Sequence, residues 1–84
     1  MVEIERYIAV FNRDGFGDEF LVQELPLPDI PLLELQKLFS IAGDNPMYDC
    51  YPITIANVSF FKKWVDQEFN FERYEYFLEC SAKS

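Results

Sequence analysis

Fifteen Asp and Glu side chains, seven Lys and Arg, two Cys and no His are the main reactive groups of this 84-residue chain. His is the commonest general base and metal ligand, so its absence removes the usual starting point for both chemistries. A nucleophilic Ser, Cys or Thr would need Lys or a carboxylate as its base. Lys37, Lys62, Lys63 and Lys83 fall on polar helix faces or near the chain end, where water holds them. Paired carboxylates serve glycosidases, but none of these acids sits in a catalytic motif and so small a body has little room for a sugar cleft. Asp14, Asp18 and Glu19 crowd one turn; Asp44, Asn45 and Asp49 crowd another. Neither reproduces the Asp/Asn ladder with a distal Glu of a calcium loop. Gly15-Phe16-Gly17 lacks the longer glycine pattern, the Lys and the following helix of a phosphate cradle. The residues therefore point to no catalytic group, no cofactor and no metal ion.

Cys50 and Cys80 lie 30 residues apart and have no His beside them, which gives neither a C-x-x-C motif nor a zinc set. They are expected to be buried, reduced thiols, with a disulfide as the alternative. The N-terminal Met1-Val2-Glu3-Ile4-Glu5 has neither the basic start nor the apolar core of a signal peptide. No apolar run approaches the roughly 18 residues of a membrane span. A cytoplasmic location is expected.

What remains is recognition. A net charge of −8 repels nucleic acid and anionic membranes, and no basic cluster exceeds Lys62-Lys63. The same charge attracts basic proteins. Asp44 and Asp49 flank Met47 and Tyr48, with Tyr51 following, so carboxylates and aromatics interleave. Glu72, Glu75 and Glu79 surround Phe77 in the last strand. Aromatic anchors ringed by acids suit a basic protein surface: the rings give desolvated contact and the charges steer the encounter. Candidate partner-binding residues are thus Asp44, Tyr48, Asp49, Tyr51, Glu75, Phe77 and Glu79. The plainer alternative makes the tyrosines half-buried core and the glutamates a solvated sheet face.

These groups need a frame. Half of the residues are apolar and 18% are aromatic, enough for one small domain over residues 1–84. Its stability is expected at roughly 4–13 kcal/mol. Residues 2–11 read as a strand, uniformly apolar from Tyr7 to Phe11, and so central in a sheet. Residues 12–18 form a turn and 19–25 a second strand, ended by Pro26 and Pro28. Leu32, Leu35, Leu38, Phe39 and Ala42 share a helical face over 30–42, with Asp29 as N-cap and Gly43 as C-terminal cap. Residues 47–53 form a loop or short edge strand, because Pro52 argues against a central one. A second helix spans 55–68, capped by Thr54 or Asn57, with Val58, Phe61, Val65 and Phe69 inward and Phe60 and Trp64 paired. In the last strand, 71–80, Tyr74, Tyr76, Leu78 and Cys80 alternate with Arg73, Glu75, Phe77 and Glu79. The order ββααβ gives an α+β fold, a small antiparallel sheet with two helices packed on one face.

Met47-Tyr48-Asp49-Cys50-Tyr51-Pro52-Ile53 and Tyr74-Glu75-Tyr76-Phe77-Leu78-Glu79-Cys80 resemble segments of small cytosolic bacterial immunity proteins. Those are the proteins encoded beside toxins of contact-dependent growth inhibition and colicin-like systems. The resemblance implies tight binding to the C-terminal nuclease domain of a cognate toxin, plugging its active site or gripping an exosite. Such nucleases are often basic because they hold phosphate backbones. A regulatory subunit of a larger complex and a nucleic-acid mimic are the alternatives. Reversing the charges of Asp44 and Asp49 together should slow association with a cognate nuclease and flatten its salt dependence. Unchanged stopped-flow kinetics would remove that loop from the interface.

Overall fold

A computed structural model describes residues 3–13 and 21–83, apart from the side chains of Glu3 and Lys83. Its elements are β1 (Glu3–Asn12), β2 (Leu21–Pro26), α1 (Leu32–Leu38), β3 (Tyr51–Ile53), α2 (Val58–Phe61) and β4 (Tyr74–Lys83). The strands make one antiparallel sheet in the order β2-β1-β4-β3. The fold is α+β, as the element order implied, and the 47–53 segment supplies an edge strand, β3. The expected 12–18 turn and the start of the second strand fall almost wholly outside the described residues.

β1 lies inside the sheet because its apolar run cannot face water: Ile8, Ala9 and Val10 are all buried. β4 lies beside it, opposite it from Glu3↔Lys83 to Asn12↔Tyr74. This register puts Ile8 opposite Leu78 and Leu25, and Val10 opposite Tyr76, so one face is apolar across three strands. Ile53 extends it to β3. Both helices cover that face. Leu35 of α1 and Val58 and Phe61 of α2 close the core, with Ile30 and Met47 from loops. Val65 and Phe69 pack against it half-buried, but from beyond α2 and not from the helical stripe expected over 55–68.

The helices are shorter than their apolar spacing suggested. α1 begins at Leu32 with Pro31 in the N-cap position, and Asp29 makes no cap. It ends at Leu38, five residues before Gly43. Ser40 adopts φ 55°, its N–H reaches Lys37 O at 3.4 Å, and Ile41 N–H reaches Gln36 O at 2.8 Å. That pair of bonds is a Schellman closure, built here on Ser where Gly is usual. α2 is a single turn. Thr54 N–H donates to Asn57 Oδ1 and Ala56 N–H to Thr54 Oγ1, so side chains take up the backbone donors of 54 and 56 and postpone the helix to Val58. Residues 62–64 continue as turns.

Both sheet edges are shut to strand addition. Leu27 N–H donates to Arg6 O, which sets the phase of the β1–β2 ladder and turns the backbone of Glu24 and Pro26 outward. Pro26 has no N–H to offer, Glu24 adds a charge, and the register shift between Val10 and Phe11 leaves Val22 in a bulge. On the other edge, Arg13 N–H to Arg73 O fixes the β1–β4 phase, so Tyr76 and Leu78 bond to β3 and Pro52 points its missing donor outward. Proline, charge and bulge are the usual means of blunting an edge.

Phe61, fully buried, anchors this core. Phe61→Ala should cost about 3–5 kcal/mol in urea denaturation. Ile55→Ala, at a residue 80% exposed, should change stability by less than about 0.5 kcal/mol.

Candidate functional site

The pleat that sends Ile8 and Val10 toward the helices sends Tyr7, Ala9 and Phe11 to the opposite face, together with Glu75, Phe77 and Glu79 of β4. No helix of the described residues covers that face. Three cross-strand rows compose it. Glu24, Ala9, Phe77 and Pro52 form the middle row; Pro26, Tyr7 and Glu79 lie on one side; Phe11 and Glu75 lie on the other. Phe11 and Phe77 meet edge to face with centroids 5.8 Å apart. Ala9 is only 1% exposed, so its neighbours close over it, with Tyr7, Phe11 and Phe77 half-buried around it.

The two glutamates of β4 differ in environment. Glu75 already meets a cation: Arg13 Nη1 lies 3.3 Å from its Oε1, while Arg13 Nε donates to Phe71 O. Both side chains are substantially exposed, so this pair contributes at most about 1 kcal/mol. Glu79 accepts from neutral donors, Tyr7 OH at 3.5 Å and Cys50 Sγ at 3.8 Å. Burial, and then the Glu79 charge, push the Tyr7 phenol above its ordinary value. The same two causes raise the Cys50 thiol. Such surroundings keep a thiol protonated, the reverse of what activates a nucleophile.

Both cysteines are free, but the expectation of burial fails: Cys50 is exposed and Cys80 half-buried. The cause is strand alternation. Cys50 precedes Tyr51 and so turns to the helix-free face, while Cys80 lies against the 47–48 backbone, 3.5 Å from Tyr48 O.

The mid-chain loop leads into that corner. Asp44, Tyr48 and Asp49 are exposed. Gln36, itself 4% exposed, donates to Gly43 O at 3.2 Å and Asn45 O at 2.7 Å. Arg6 donates to Pro46 O at 2.8 Å, and Met47 N–H to Asn45 Oδ1 at 2.8 Å. The loop therefore joins the sheet where Cys50 meets Glu79. Tyr51 parts company with the other candidates: its ring packs on Phe39, centroids 5.4 Å apart, on the helix face. Glu72 lies in the 71–73 turn ahead of β4. Glu75, Phe77 and Glu79 share one face with a span of roughly 13 Å. Arg6, Gln36 and Tyr7 were not singled out by sequence; Gln36 falls outside the apolar stripe of α1 and signals nothing locally.

Among the described residues no group of three or more His, Cys, Asp or Glu side chains is spaced to hold a metal ion. No helix among them is long and apolar enough to cross a membrane. The chain belongs to the family described as Domain of unknown function (DUF7683), whose model matches residues 5–79. No curated protein and no solved structure matches it.

Tyr7 and Cys50 hold their protons more firmly folded than unfolded. Their contribution to stability is complete below about pH 9 and is lost as pH climbs through the raised folded values. Glu79→Gln should flatten that alkaline loss in pH-dependent thermal melts. It should also speed alkylation of Cys50 at pH 9, followed by peptide mass spectrometry; an unchanged rate would disprove the coupling.

Proposed function

Proceeding from a family membership that assigns no activity, we propose that this chain is a non-catalytic cytoplasmic binding protein that covers a basic surface on another protein. Its sharper form is an immunity protein that occludes the nuclease domain of a cognate toxin. The observation that carries the reading is the helix-free sheet face, an aromatic patch bordered by three carboxylates of which two have no cationic partner among the described residues. Neither Glu24 nor Glu79 meets a Lys or Arg among the described residues, whereas Glu75 does. Blunted edges favour docking through the face over strand exchange.

In this mechanism Glu24 and Glu79 pair with Lys or Arg that otherwise grip phosphate, and Phe77 supplies the desolvated contact. Asp44 and Asp49 extend the negative field along the loop, and Tyr48 adds a second aromatic contact. Glu75 contributes after exchanging Arg13 for a partner cation or keeps Arg13 as a bridge. Tyr51 supports the loop from behind through Phe39. The excess of eight negative charges raises association above the unsteered rate of about 10⁵–10⁶ M⁻¹s⁻¹.

The test is co-purification with the product of the adjacent gene and an assay of that product with and without this chain. Stoichiometric inhibition is expected. Glu24→Lys with Glu79→Lys should slow association at least about tenfold at low salt and reduce its salt dependence. Identical kinetics for the double variant would take the sheet face out of the interface.

A further inference from the structure

We propose that residues 43–50 form a preorganised platform that presents Tyr48 as the anchoring side chain, to be received in a cation-rimmed pocket of the basic partner. This deepens the binding function above and depends on it. Two adjacent residues point opposite ways: Met47 is 1% exposed and Tyr48 is 60% exposed. The reversal is made by Met47 itself, at φ 57° in the left-handed region that a residue with a Cβ seldom adopts. Burial of its side chain in the core holds it there.

Around this pivot the backbone is fixed by side chains from three other elements. Gln36 of α1 binds the carbonyls of Gly43 and Asn45. Arg6 of β1 binds Pro46 O. Cys80 of β4 lies against the carbonyls of Met47 and Tyr48, at 3.9 and 3.5 Å. The nearly buried amide of Gln36 is spent wholly on this loop. A fixed backbone removes the ordering cost that a mobile loop pays on binding. Tyr is suited to the tip: a large ring with few rotatable bonds and a hydroxyl for the far end of a pocket. The exposed carboxylates of Asp44 and Asp49, on either side of it in the loop, select a rim of Lys or Arg. Gln36 is then a positioning residue and Tyr48 the contact.

Two measurements test this. The ¹⁵N order parameter of the Tyr48 amide in the free protein should stand near about 0.85 and fall in Gln36→Ala; a wild-type value below about 0.6 overturns the platform. Binding to the adjacent-gene product by calorimetry should weaken at least about 30-fold in Tyr48→Ala with an unchanged melting temperature. Binding within twofold of wild type overturns the anchor while leaving the sheet-face function standing. No binding by the wild-type chain overturns both.

Discussion

Ten residues of β1 face ten of β4 without a break in register, and the phase of that ladder decides what the rest of the chain can do. Because side chains alternate along each strand, the same pairing that assembles Ile8, Val10, Tyr76 and Leu78 into a core floor must put Tyr7, Phe11, Phe77 and Glu79 on the reverse. A one-residue slip would send Glu79 and Glu75 under the helices, at the cost of burying carboxylates without partners. The core therefore enforces the outer face. Both edge strands take their phase from the same ladder, and it is this phase that places Pro26 and Pro52 where a missing N–H costs no hydrogen bond.

The outer face is unusual in how its charges are managed. Arg13 neutralises Glu75 at one end, while Glu79 at the other is held by Tyr7 and Cys50, donors that orient it without cancelling its charge. Burial first and the Glu79 charge second raise the pKa of both donors, so both stay protonated beside the carboxylate they hold. Fifteen acids on 84 residues cost stability through repulsion.

Sequence revealed most of this frame because its strongest signals are periodic. The alternation from Tyr74 to Cys80 assigned the two faces of β4, and the apolar run of β1 assigned its central place. Helix ends were less legible. Ser40 closes α1 through backbone bonds that any residue able to tolerate φ 55° can make, so Gly43 was the better-looking cap and the wrong one. Tyr51 illustrates a deeper limit. Its place in a three-residue strand, paired with Leu78, turns its ring to the helix face, away from Phe77 and Glu79. That register comes from pairing with β4, a non-local fact invisible in the segment itself. Gln36 is the same case: only the fold brings the 43–45 carbonyls to it.

Met47 connects the two halves of the molecule. Its side chain belongs to the core with Leu35 and Phe61, and its backbone belongs to the loop beside β4. A smaller side chain there would loosen the core and also remove one of the restraints that hold the left-handed backbone, beside the hydrogen bonds to residues 43–48. Core packing and loop geometry are thereby coupled through one residue. Partner contact at Tyr48 would be felt by the helices, and disturbance of the helices would be felt at Tyr48. A loop so attached to the core gains its rigidity from the folding energy already spent, which is how a domain this small can hold an exposed aromatic in a defined place.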